Sequence, residues 1–311
     1  MRGHALQLIA YCLPMAISLV LTAPVVARPA DQQKQSQHVT NRAVKVAEGK
    51  GGLGLWDRNY AGTAVSDAAK AGFSWYYNWE PEPVRSKTRP AYNPSFVPMV
   101  WSAKHATRDA LARIKASGAT TLLGFNEPNE HKQANMSVER AIALWPRLQA
   151  TGLRLGSPSP SQGDTLGANS WLARFMRQAE TKGLRVDFIA VHYYSEDQDV
   201  GAFKQWLEAV HEQYKKPIWV TEWALADWGN PDRFSVAEQA AFARAGAEML
   251  EDLPFVERHA WFAAYEGGDG WHLRSGVLDE KGDLTGVGLT FAELNGQRNG
   301  KVRTEVASRR E

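Results

Sequence analysis

Between residues 51 and 265 the chain alternates short apolar runs with longer stretches in which apolar residues recur every three or four positions. The runs GGLGLW (51–56), FSWYYNW (73–79), FVPMVW (96–101), TTLLGFN (120–126), LRLGSP (153–158), DFIAVHYY (187–194), PIWVTEW (217–223) and HAWFAAY (259–265) have the length and near-continuous apolarity of buried strands. The stretches 63–72, 107–118, 137–152, 169–183, 200–215 and 235–252 between them read as helices. Thr107 and Ser137 stand as N-caps, Ser235 with Glu238 has the spacing of a capping box, and Gly72, Gly118, Gly152 and Gly183 sit just past helix ends. Eight strands alternating with helices through right-handed crossovers predict an α/β fold, a single (β/α)8 TIM barrel. An open doubly wound sheet is the alternative, weakened because no Gly-rich nucleotide loop follows the first strand.

The flanks lack this pattern. Residues 1–27 begin with Arg2 and His4, run apolar from Ala5 to Leu21 and reach a small-residue site at Val25–Ala27. This is the layout of a secretory signal peptide cleaved after Ala27, and it predicts a secreted or periplasmic protein with no stable membrane insertion after cleavage. An uncleaved anchor is the competing reading, and Pro14 and the Val-x-Ala site argue against it. Residues 28–44 and 295–311 are polar, a disordered leader and a tail, which leaves 45–294 as one catalytic-size domain.

Composition narrows the function further. The net charge is +2 in 311 residues, with Lys and Arg interspersed among acidic residues, so no nucleic-acid footprint is present. Twelve Trp are more than an ordinary soluble protein carries and suit a cleft with flat aromatic walls. The one cysteine, Cys12, lies in the signal region, so the mature chain is expected to hold no disulfide and no thiolate zinc site. His192, His259 and His272 show no ligand spacing, and there is no G-x-S-x-G elbow; no metal and no cofactor are expected.

In a TIM barrel, chemistry sits where strands end at the C-terminal rim. The fourth apolar run stops in Asn126 and Glu127, and the seventh ends in Glu222. Two carboxylates facing each other across the mouth suit glycoside hydrolysis, one protonating the leaving oxygen and the other attacking the anomeric carbon or activating water. The bland alternative makes Glu127 part of a solvated turn and Glu222 half of a structural ion pair. Aromatic and polar residues on the same rim are candidates for sugar contact: Tyr77, Asn78 and Trp79 in WYYNW, Trp101, His192, Tyr194 and Trp261. Alternation puts His192 and Tyr194 on one face, taken as inward; for WYYNW the two faces, Trp75, Tyr77 and Trp79 against Tyr76 and Asn78, stay open.

The segments WYYNW, FVPMVW, LLGFNEPN, NMSVERAIALWPRL, LGSPSPS, WLARFM, VDFIAVHYY and KPIWVTEWA, in this order, resemble glycoside hydrolase family 128 from about residue 50 to 265. The resemblance implies a (β/α)8 retaining endo-β-1,3-glucanase whose partner is a β-1,3-glucan polysaccharide or oligosaccharide, acting as a monomer. It implies Glu127 as acid/base, Glu222 as nucleophile and Asn126 as ligand of the 2-hydroxyl at the cleaved sugar. Two departures stand out: FNEPN where FNEPD is expected and VTEW where VTEF is common. A silent glucan-binding protein on the same barrel, or a clan A hydrolase of another β-glycan, are the competing functions.

Overall fold

The computed structural model describes residues 49–58, 62–87, 94–267 and 272–296. The expected signal peptide and leader, and the tail beyond 296, lie outside them. Among the described residues no helix is long and apolar enough to cross a membrane.

Eight strands run parallel: β1 (Gly51–Gly54), β2 (Trp75–Tyr77), β3 (Ser95–Phe96), β4 (Thr121–Leu122), β5 (Arg154–Leu155), β6 (Ile189–Ser195), β7 (Ile218–Leu225) and β8 (Val256–Trp261). Six form a sheet in the order β3-β2-β1-β8-β7-β6, and β4 pairs with β5. Single parallel bridges join the two groups, Met99 to Leu123 and Gly156 to Phe188, and close the ring into a TIM barrel. The wall is thinnest at β3, β4 and β5, with two residues of regular ladder each. There Gly124 lets the backbones approach: an added Cβ would lie 2.8 Å from the Ser157 carbonyl oxygen.

The helices are α1 (Ala64–Lys70), α2 (Arg108–Ala116), α3 (Val138–Gln149), α4 (Trp171–Thr181), α5 (Val200–Tyr214) and α6 (Val236–Asp252). All but α1 start at a side-chain cap: Thr107 accepts from Ala110 N–H, Ser137 from Arg140, Ser170 from Ala173, Asp199 from Ala202, and Ser235 with Glu238 closes a full capping box. A further helix at 286–296, which the apolar pattern did not single out, packs Phe291 against Phe73 and Trp261. Asn295, assigned to the tail from sequence, belongs to this helix and donates from Nδ2 to the Ala71 carbonyl at 2.8 Å.

The core has two layers. Inside the barrel lie Trp75, Tyr77, Val97, Met99, Leu123, Phe188, Ala190, Trp219 and Ala260; the larger cluster fills the space between strands and helices. This resolves WYYNW, because Trp75 and Tyr77 point to the axis while Tyr76 packs outward on Phe96. It also corrects Trp261. Ala260 takes the inward position, so alternation turns Trp261 to the helices, where it is fully buried, donates from Nε1 to the Ser275 carbonyl at 2.7 Å and packs on Trp223 and Phe291.

Candidate active site

Both carboxylates reach the barrel mouth through breaks in strict alternation. On β7, Trp219 faces the axis and Val220 the helices, so simple alternation would send Thr221 inward and Glu222 outward. A bulge intervenes: Val220 pairs with Val191, but Glu222, not Thr221, pairs with His192. The extra residue resets the phase, and Glu222 points inward while Trp223 packs among the helices on Phe242. On the fourth strand, Leu123 faces the axis and Phe125 packs outward on Trp145. Glu127 follows with φ +39°, a left-handed backbone unusual for a non-glycine residue, held by its N–H donating to the Ser159 carbonyl at 2.7 Å.

Glu222 is nearly enclosed, its side chain 7% exposed, and is held by surrounding donors. Trp79 Nε1 donates to Oε1 at 2.8 Å and the Tyr194 hydroxyl to Oε2 at 2.6 Å. The Tyr77 hydroxyl stands 3.2 Å from Oε1 and 2.9 Å from the Thr221 carbonyl, which share its single proton. An indole N–H can only donate, so Oε1 is an acceptor in this arrangement. Trp79 achieves this with φ +59°, the second left-handed non-glycine residue of the site.

His192, fully buried, joins the two carboxylates: its Nδ1 lies 2.9 Å from Glu127 Oε1 and 3.4 Å from Glu222 Oε2. Nε2 has no hydrogen-bond partner among the described residues. A bare lone pair there costs less than an unpaired N–H, which assigns the proton to Nδ1, donated to Glu127 Oε1. Glu127 Oε2 is then the oxygen that can carry the transferable proton.

Electrostatics follow from this crowding. Burial pushes the Glu222 carboxyl above its ordinary value and Glu127 adds to the effect, against His192 and the Tyr194 and Trp79 donors, which pull it down. For His192 burial alone would lower the pKa; the two carboxylates outweigh it and raise it. Burial first, and Glu222 second, push the Tyr77 and Tyr194 hydroxyls far up, so both stay protonated donors. One ligand atom from each of Glu127, His192 and Glu222 lies within 4.8 Å of the others, so one oxygen of each carboxylate falls within that span. The three residue types are also those of a divalent-cation site, a grouping that no local sequence spacing reveals. Here, however, Glu222 already accepts from its tyrosine and tryptophan donors.

The cleft above this pair has a volume of about 910 Å³ and is lined by Trp56, Trp79, Trp101, Asn126, Tyr194, Trp228 and Phe262, among others. Residues 54–291 match the glycosyl hydrolase catalytic core model. A GH128 subgroup I endo-β-1,3-glucanase from Amycolatopsis mediterranei, solved as a glutamate-to-glutamine mutant in complex with laminarihexaose, is 38% identical; 78% of this chain and 98% of that chain align, with a TM-score of 0.70. The chain belongs to glycoside hydrolase family 128.

Other members bracket this family-128 chain more loosely. A subgroup II endo-β-1,3-glucanase from Sorangium cellulosum is 30% identical, with 78% and 98% covered and a TM-score of 0.63. The alkali-sensitive linkage protein 1 of Schizosaccharomyces pombe is 29% identical over 229 residues, 71% of this chain and 40% of that protein, so the chain spans less than half of this curated relative's length.

Within the family-128 cleft, the sequence-derived candidates divide. Asn126, Trp79, Trp101, Tyr194 and both carboxylates line it. Tyr77 and His192 lie fully buried beneath it and hydrogen-bond the carboxylates. Asn78 is corrected: it turns away and donates from Nδ2 to the Glu82 carbonyl at 2.8 Å, because Tyr77 and Trp79 take the inward positions on either side. Trp56, Trp228 and Phe262 were missed. Trp56 closes the first apolar run and was legible on the rule that strand ends line the mouth; Trp228 sits in the loop after β7, where no periodicity marks a position.

One consequence can be measured directly. With Glu222 as the attacking group, which must be ionised, the acid limb of kcat/KM is expected above 4.5, the ordinary glutamate value. Tyr194→Phe removes a donor that favours the carboxylate, so it should move that limb to higher pH and lower kcat about tenfold. An unchanged or downward-shifted profile would contradict the assignment.

Proposed function

We propose that this chain is a retaining, endo-acting hydrolase of β-1,3-glucan, exported and working as a monomer. The observation that carries the reading is the carboxylate pair with oxygens within 4.8 Å. That closeness favours the retaining class, in which the groups stand about 5 to 5.5 Å apart, over the inverting class, in which they stand roughly 6.5 to 9.5 Å apart. Glu222 attacks the anomeric carbon while Glu127 protonates the departing glycosidic oxygen. The C1–oxygen bond breaks with its electron pair on the leaving sugar, and a glycosyl ester to Glu222 forms. Glu127, now ionised, takes a proton from water, which adds to C1 and frees Glu222. The two carboxylates supply both proton and nucleophile, and the mechanism calls for no metal.

The substrate class is supported by the relatives from Amycolatopsis mediterranei, endo-β-1,3-glucanases solved with laminari-oligosaccharides bound. The aromatic walls supply flat surfaces for sugar C–H faces, and Asn126 stands beside Glu127 at the cleavage point. Export is supported by the charged start, apolar run and small-residue site of residues 1–27.

The test is product analysis on laminarin with the chain begun at Arg28. Early release of mixed oligosaccharides, with the β-anomer formed first, is expected. Binding without release of reducing ends would make the protein a glucan-binding module, and activity confined to mannan or β-1,4-glucan would reassign its substrate.

A further inference from the structure

The cleft holds a carboxylate that the double displacement does not use. Glu130 lines it from the loop after the fourth strand, three residues beyond Glu127. It is held in place on one oxygen only: Oε1 accepts from Asn129 Nδ2 at 3.0 Å and from the Ser161 hydroxyl at 2.8 Å. Asn129 in turn donates from Nδ2 to Ser161 Oγ at 2.7 Å and accepts from Ser161 N–H at Oδ1, at 2.9 Å. One side-chain amide therefore ties the loop carrying Glu127 to the loop after β5 and presents Glu130. Oε2 has no hydrogen-bond partner among the described residues.

Resting on the function proposed above, we infer that Glu130 is a substrate-specificity residue whose Oε2 accepts a hydrogen bond from a glucosyl hydroxyl next to the cleavage point, with Asn129 as its positioning residue. A fixed carboxylate pairs well with a neutral sugar's hydroxyls, because its oxygens only accept. It repels anionic substituents, and Glu127, Glu196 and Glu222 line the same cleft against one lysine, Lys132. The site therefore selects unsubstituted glucan over carboxylated or sulfated glucan. Asparagine is essential to the geometry. Aspartate at 129 would keep the bond from Ser161 N–H but place a second carboxylate oxygen where Nδ2 now stands, 3.0 Å from Glu130 Oε1, and drive Glu130 away.

The experiment measures kcat and KM on laminarihexaose, and laminarihexaose binding to the same variants in a Glu222→Gln background. Glu130→Gln and Glu130→Ala are expected to raise KM and the dissociation constant on the order of tenfold, with kcat changed less than about threefold. Asn129→Asp should weaken binding comparably at pH 7. Asn129→Asp with Glu130→Gln should be no worse than Glu130→Gln alone, because the glutamine amide donates to the new aspartate; two independent structural losses would multiply instead. Unchanged KM in Glu130→Ala, or effects of the two substitutions that multiply, would overturn the proposal. Wild-type protein that binds laminarihexaose without cleaving it would overturn the hydrolase reading instead, and the binding arm would still decide Glu130.

Discussion

Glu222→Ala is expected to lower kcat on laminarin by roughly four to six orders of magnitude, the scale seen when a covalent nucleophile is removed from an otherwise intact site. The groups that hold it do not replace it: burial alone pushes the Tyr77 and Tyr194 hydroxyls up and keeps them protonated, and His192 gives its Nδ1 proton to Glu127. The deciding readout is azide rescue with an activated aryl β-glucoside. Azide occupying the space of the lost carboxylate attacks from the face opposite the leaving group and should give the α-glucosyl azide. Glu222→Gln preserves the shape and relieves the burial of a charge beside Glu127, so its thermal midpoint should not fall. Retained turnover, or a β-azide, would remove Glu222 from the nucleophile role.

Glu127→Ala is expected to cost about two to four orders of magnitude on laminarin, the range of a positioned general acid/base. The loss should depend on the leaving group. An aryl glucoside whose phenol needs no protonation should still form the glycosyl ester with Glu222, and the ester should then accumulate, because no base activates water. Azide needs no base, so it should speed the second step and give the β-glucosyl azide. The assigned roles thus require the α-azide from Glu222→Ala and the β-azide from Glu127→Ala; the reverse pairing would exchange the two roles. Because His192 Nδ1 donates to Glu127 and lies 3.4 Å from Glu222, loss of either carboxylate should also lower the His192 pKa from its raised value, which its ring-proton shifts would report.

Periodicity and end signals in the chain carry most of the fold. Eight apolar runs with helices between them specify the barrel, because the runs are largely buried and the N-cap residues Thr107, Ser137, Ser170 and Ser235 each satisfy a helix donor locally. The two glutamates were visible for the same reason: a polar residue ending a buried run is unusual enough to notice. The helix at 286–296 was less legible, since its buried Val287, Phe291 and Leu294 are interrupted by the exposed Leu289 and preceded by glycines.

Orientation was not legible, because it depends on the phase of each strand. Trp261 and Trp223 look in sequence like cleft aromatics beside functional residues, yet both face the helices. The phase at Trp261 is fixed by Ala260 filling the barrel axis, and that at Trp223 by a bulge that appears only when β6 and β7 are paired. Asn78 lost its expected role to Tyr77 and Trp79 in the same way.

By itself, then, the chain determined the barrel, the order of its strands, the two carboxylates and the aromatic richness of the rim, all of which follow from local pattern and from the rule that strand ends meet at one mouth. Only the tertiary structure decided that Glu222 points inward, that His192 couples it to Glu127, that Tyr77 and Trp79 join Tyr194 in holding it, and that Asn129 fixes Glu130 through Ser161. These contacts join residues up to 145 positions apart, and their geometry is set by where a bulge or a left-handed residue resets a strand, which no periodicity encodes.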